Sequence, residues 1–254
     1  MQWLPDRYSL EARVAPVVIL LLPLAVFAAV ALSWFDISLP GLGSVPTSAI
    51  GVVIFVVTSC VVLASHVGRS GRRKQDWLFD LWGGPPLRRA MRHDSERDDA
   101  MSWDRITALL EVRIGTPRPT AHDETEDPVV AERVYSDFEN ELKQATRDHK
   151  VFPEVARENR SFGFRRNLWA MKPWAVSVGL LLVAVAVWFS IWGPAADRKL
   201  FVGTLVVIGL VTLWWKFIIT TDWVRDAADA YVVAMREGGL RLADAERLER
   251  KKAS

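Results

Sequence analysis

The residues that could do chemistry are few. Asp98-Asp99 and Asp123-Glu124-Thr125-Glu126-Asp127 are two acid-rich spots. General acid–base work needs carboxylates in a water-poor pocket with shifted proton affinity. Both spots fall in loops or at helix starts, where acids complement the helix dipole, so capping and solvated roles are expected. The four histidines, His66, His93, His122 and His149, stand apart from one another, and Cys60 is the lone cysteine. No pair has metal-ligand spacing, and no disulfide can form within the chain. No phosphate-cradling glycine loop and no nucleophile elbow occurs. No enzymatic activity, cofactor or metal is expected.

Cationic chemistry is better represented. Between Arg157 and Trp174, arginines interleave with aromatics: Arg157, Arg160, Phe162, Phe164, Arg165 and Arg166. A second basic cluster is Arg72-Arg73-Lys74. Guanidinium forks suit bidentate phosphate recognition, and aromatic faces can stack bases. These nine residues are the candidate site for an anion, such as a nucleotide or a single-stranded oligonucleotide. The same composition describes a membrane-surface anchor, with aromatics in the interface and arginines on lipid phosphates, and that is the reading it favours.

The elements that position these residues are set by four apolar runs: Val14–Phe35, Thr47–Val67, Trp174–Trp192 and Leu200–Thr221. A spanning helix needs about 20 mostly apolar residues to cross roughly 30 Å of hydrocarbon. None of the runs contains Asp, Glu or Arg, and Lys216 is their only lysine. The first run lacks the compact basic start and small-residue cleavage site of a signal peptide, so it is expected to be mature structure. Its interior Pro23 should bend the helix. The expected fold is an all-α membrane protein, with four transmembrane helices as two hairpins flanking a mainly helical cytoplasmic domain. The expected boundaries are a first hairpin over 1–68, the cytoplasmic domain over 69–172, a second hairpin over 173–221 and cytoplasmic helices over 222–254.

Charge sets the orientation. The first short loop, Asp36–Pro46, has no Lys or Arg, and the second, Gly193–Lys199, has only Arg198 and Lys199. The 69–172 segment carries 20 basic residues and the tail from Asp222 seven. The positive-inside rule then places both termini and the middle on the cytoplasmic side of the membrane. Trp34, Trp169, Trp174, Trp188, Trp192, Trp214 and Trp223 lie near run ends, as interfacial anchors or as packing between helices. Within the middle segment the membrane-proximal flanks are basic. The centre, 93–148, has 15 acidic against seven basic residues.

Smaller elements follow from punctuation and period. Asp76–Trp82 is a helix end stopped by Gly83-Gly84-Pro85-Pro86. Ile106, Leu109, Leu110 and Ile114 mark a helix, and Gly115–Thr120 a loop. Asp127-Pro128 starts a helix with an apolar stripe at Val130, Val134, Phe138 and Leu142. Gly203, Thr204, Gly209 and Thr212 suit close packing within the membrane. The fourth run should continue unbroken into the cytoplasm, with an apolar face at Trp223, Val224, Ala227, Ala228, Tyr231 and Met235. Gly238-Gly239 should end that helix, and its apolar face invites self-assembly.

Two membrane hairpins around a cytosolic segment resemble the four-span membrane effectors of bacterial anti-phage systems that accompany nucleotidyltransferases. The Asp6-Arg-Tyr-Ser-Leu-Glu-Ala-Arg13 opening with Ala15-Pro16, then Glu158-Asn159, Phe162-Gly-Phe-Arg-Arg-Asn-Leu168 and Lys172-Pro173, look like the membrane component of the Hailong system. The motifs cover a small part of the chain and the architecture all of it. The resemblance implies a homo-oligomeric, channel-like effector, such as a tetramer. It also implies restraint by single-stranded DNA oligomers that a partner enzyme makes, with release causing depolarisation and growth arrest. It supplies no ligand contacts; the basic and aromatic candidates come from the residues themselves. The alternative is a non-channel scaffold that recruits a soluble partner. A coupled transporter is disfavoured because the runs lack midplane ionisable residues.

Overall fold

The computed structural model describes residues 8, 10–34, 47–93, 99–193 and 198–253, without the side chains of residues 29, 31–34, 47–57, 60–62, 64 and 65. The expected outer loop at 36–46, Pro194 of the second loop, the first seven residues, Asp98, and the side chains of Trp34 and Cys60 lie outside these. Every regular element among the described residues is helical, as expected, and no strand occurs among them. A π-helical turn, Leu10–Val14, leads into α1 (Ala15–Trp34). Then follow α2 (Thr47–Leu81), α3 (Pro86–Met91), α4 (Ala100–Ile114), α5 (Ala121–Glu126) and α6 (Pro128–Ala145). The chain closes with α7 (Pro153–Trp192), α8 (Arg198–Phe217) and α9 (Thr221–Ala253). These form two compact units: Met1–Gln75 with Gly163–Val224, and Asp76–Phe162 with Arg225–Ser254.

The first unit holds the membrane elements. Among the described residues, three helices are long and apolar enough to cross a membrane: Leu10–Ala28, Pro153–Trp192 and Arg198–Phe217. The second apolar run forms the start of α2, where most side chains lie outside those described. Trp174 and Trp192 are 69% and 72% exposed, and Leu180, Leu181, Val206 and Leu210 are exposed as well. An aqueous surface rarely carries so much apolar area. Inward, Val17, Leu21, Val67, Leu168, Met171 and Trp215 form one cluster. Gly179 lies against Thr212, whose hydroxyl donates to the Ile208 carbonyl at 2.7 Å. Thr212 thus serves close packing as expected, whereas Gly203 and Gly209 face open space.

The fourth run does not continue unbroken. α8 ends at Phe217 and α9 begins at Thr221. The cause is local: Ile218, Ile219, Thr220 and Thr221 are all β-branched and disfavour helix. Thr220 also caps the new helix, its hydroxyl accepting from the Trp223 N–H at 3.1 Å.

The second unit is a helical core of Trp103, Ile106, Leu110, Tyr135, Phe138, Leu142 and Met235. Its punctuation follows expectation in three places. α2 stops before Gly83 and Gly84, at φ 78° and 119°, conformations that favour glycine. α4 ends on Gly115 in the left-handed region. Asp127 caps α6 by accepting from the Val130 N–H at 3.1 Å, with Pro128 in the first turn. Within the 123–127 acid-rich spot, Asp123 and Asp127 both act as caps.

Two expectations need correction here. Of the expected α6 stripe, Phe138 and Leu142 are buried and Val134 packs on the core, but Val130 is 52% exposed and Ala131 and Tyr135 are buried instead. A strict four-residue repeat drifts around a helix of 3.6 residues per turn, so its first member rotates out. Second, α9 runs through Gly238-Gly239 to Ala253. A Cβ on Gly239 would sit 3.0–3.2 Å from Ile106, and one on Gly238 3.3–3.4 Å from Thr146, Val155 and Phe152. The glycines let α9 approach its neighbours closely; they are not stops. Met235, with Val232 and Ala234, is consumed by this core, so that part of the face read as self-assembling is covered by the protein's own chain.

α5 carries a capping box. Thr120 donates to Asp123 Oδ2 from its N–H at 2.8 Å and its hydroxyl at 2.7 Å, and accepts from the Asp123 N–H. The Thr120 hydroxyl, then its N–H, hold the Asp123 carboxyl below the usual carboxylate range. A depressed folded value contributes stability above about pH 3.9, lost as pH falls through it. In Thr120→Val the Asp123 titration, followed by carboxyl NMR shifts, should move up toward the ordinary value.

Candidate functional site

The candidate residues divide between the units. Arg72, Arg73, Lys74, Phe164, Arg165 and Arg166 belong to the first unit, and Arg157, Arg160 and Phe162 to the second.

In the first unit, α7 is packed against the π-helical turn and α2 at backbone distance. A Cβ on Gly71 would lie 1.9 Å from Asn167 Oδ1, and one on Gly163 2.9 Å from the Tyr8 hydroxyl. Asn167 is fully buried and donates through Nδ2 to the Ala12 carbonyl at 2.6 Å. Beside it Arg166 is 8% exposed. Its guanidinium donates to Gln75 Oε1 through Nη1 and to Asn167 Oδ1 at 3.4 Å through Nε and Nη2. The Tyr8 hydroxyl is a further partner, and Arg72 and Arg13 are near enough to repel it. Arg13 also lies 5.8 Å from the Tyr8 ring centroid and against Gly68. The Arg166 guanidinium is thus held by amides and a hydroxyl, within electrostatic range of Arg13 and Arg72. Only Arg166 of the three is buried; Arg13 is half-buried and Arg72 exposed, and like charges this near one another favour an oxyanion beside them.

Three further cations of this unit are engaged in packing. Lys74 donates to the Ala170 carbonyl at 3.0 Å and lies 5.6 Å from the Trp169 ring. Arg165 stacks 4.9 Å from the Trp223 ring and donates to the Trp223 carbonyl at 2.9 Å. Lys172 donates to the Ile219 carbonyl at 2.7 Å. Arg73 is exposed, and Phe164 packs half-buried on the apolar cluster. In the second unit Arg157 pairs with Glu154 at 2.5 Å and Glu158 at 2.8 Å, Arg160 is half-buried and Phe162 is buried.

The sequence reading missed Tyr8, Arg13, Gln75 and Asn167. Only the position of Arg13 at the edge of the first apolar run hinted at it.

In the second unit a recess of about 320 Å³ is lined by Arg92, His93, Glu124 and Thr125 among others. Its polar groups satisfy one another. Glu124 accepts from the His93 N–H at 3.1 Å and the Tyr135 hydroxyl at 2.5 Å, and His93 Nε2 meets the Pro119 carbonyl at 3.0 Å. Burial, then the bond to Glu124, push the Tyr135 phenol up. Arg88 bridges Glu132 at 2.8 Å and Glu139 at 2.5 Å. Burial alone would lower the Arg88 guanidinium, but these bonds outweigh it and raise it. No group of three or more potential metal ligands occurs among the described residues.

No protein-family model, no curated protein and no solved structure matches the chain.

Proposed function

We propose that the protein is an oligomeric membrane effector, channel-like, gated or restrained by an anionic ligand of the nucleotide or single-stranded DNA class. In this reading the start of α2 is a fourth span, the helices form two hairpins, and both termini face the cytoplasm of a bacterial cell. Its role is anti-phage growth arrest through depolarisation. No enzymatic step belongs to it. The supporting observation is the buried Arg166, with Arg13 and Arg72 of two other helical segments near enough to repel it.

The test is equilibrium binding of a short fluorescent single-stranded oligodeoxynucleotide to the full chain in detergent, at several salt concentrations. Arg13→Gln and Arg72→Gln, and Arg166→Lys, which keeps charge without the fork, should each weaken binding about tenfold. Each of the two glutamine variants should also flatten the salt slope by about 0.7. Arg157→Ala, already paired with two glutamates, should change neither. Unchanged affinity and slope in all three junction variants rules the site out. If oligonucleotide does not bind but native mass spectrometry shows anionic lipid lost from the same variants, the junction holds a lipid phosphate.

A further inference from the structure

The second unit carries two surfaces of opposite character. A groove of about 550 Å³ runs between α4 and α9. Ala108, Leu109, Val112 and Ala243 give it an apolar lining, and Arg105, Arg247, Arg250 and Lys251 line it against one acid, Glu246. Val112 is 59% exposed. The pairs around it leave the rim basic: Arg105 bonds Asp244, while Glu246 is held mainly by Arg113 and reaches Arg250 only at 3.8 Å.

Where α5 passes into α6, the opposite arrangement projects. Val129 and Val130 are 63% and 52% exposed. Asp123, Glu126 and Asp127 stand exposed beside them, and residues 123–130 contain no Lys or Arg. This is an apolar knob in an acidic collar. Apolar surface of this kind, rimmed by charge, marks an interaction site. The knob is not seated in its own chain's groove, because both valines and Val112 are exposed.

We infer that the groove receives the knob of a second copy of this chain, Val129 and Val130 entering the apolar lining while Glu126 and Asp127 face Arg247 and Arg250. The inference rests on the oligomeric reading above. Knob and groove are different surfaces, so the contact is head-to-tail and propagates to a third copy. Copies threaded through one bilayer share a common normal. Repetition about that normal closes a ring where the rotation per copy divides a full turn. Charge complementarity of this kind fixes register and steers encounter, while the valines supply the buried area.

The experiment uses the full chain in detergent, in a Cys60→Ser background. Val112→Cys and Val129→Cys are made in separately tagged copies, and both sites are solvent-exposed. Oxidation of co-expressed copies should give a disulfide dimer carrying both tags, and neither variant alone should do so. Glu126→Arg should abolish the cross-link, and Glu126→Arg paired with Arg247→Glu in the other copy should restore it. Native mass measured on the same samples separates the possible failures. An oligomer without the mixed cross-link, or a cross-link indifferent to charge reversal, overturns the interface and leaves oligomerisation standing. A monomer overturns both.

Discussion

Phe138→Ala should destabilise the second unit by about 3–5 kcal/mol, the usual cost of removing a buried phenyl ring from a packed core. Phe138 is fully buried, meets Tyr135 edge-on with ring centroids 6.4 Å apart, and sits in the cluster that joins α4, α6 and α9. None of its neighbours can fill the space left, because Trp103, Ile106, Leu110 and Leu142 are themselves fully packed. In a thermal scan of the full chain the transition of this unit should fall by about 10–20 °C. Val130→Ala, on the same helix two turns earlier, should stay within about 0.5 kcal/mol. The pair discriminates between two patterns on one helix. A strict four-residue stripe makes the two residues equivalent, and the observed packing makes them opposite.

Gly71→Ala should cost about 1–3 kcal/mol in the first unit. On an open helix this change ordinarily stabilises by about 0.5–1 kcal/mol. Here the new methyl would stand 1.9 Å from Asn167 Oδ1. Either the helices part, at about 1–3 kcal/mol for overpacking, or Asn167 swings away. Swinging away breaks its bond to the Ala12 carbonyl and leaves a buried amide and carbonyl unsatisfied, at about 1–3 kcal/mol. The decisive measurement is a double-mutant cycle in detergent. Asn167→Ala removes the obstructing oxygen, so Gly71→Ala should be less harmful in its presence by about 0.5–3 kcal/mol. Additive losses would mean that the glycine is not there for Asn167. Because Arg166 also donates to Asn167, the Gly71 variant should weaken anion binding at the junction as well.

Much of the architecture was legible in composition and punctuation. Apolar run length marked the helices able to cross a membrane. Pairs such as Gly83-Gly84 and Asp127-Pro128 marked helix ends, since their backbone demands are local. Legibility failed where a residue's role is set by a distant partner. Gly238-Gly239 looks like a stop to anyone who cannot see Ile106, 133 residues earlier, pressed against it. The α8–α9 break was locally encoded, but four β-branched residues inside an apolar run read as membrane helix first. At the candidate site, counting cations found Arg72 and Arg166 but could not separate them from Lys74 and Arg165, which bond to backbone carbonyls. Arg13 and Asn167 were invisible because only folding brings the start of the chain beside α7.

Lys172 and Arg165 lie seven residues apart on α7, two turns along one stripe. Lys172 bonds the carbonyl of Ile219 in the gap between α8 and α9, and Arg165 that of Trp223 in the first turn of α9. A helix terminus normally finds its electrostatic complement in its own cap or in water. α8 instead borrows a cation from its neighbour. Sliding α7 by one residue, about 1.5 Å, past the α8–α9 connection would draw both donors away from their acceptors. The two helices are therefore coupled like a rack and pinion, and a rearrangement that preserves these bonds must carry them as one piston.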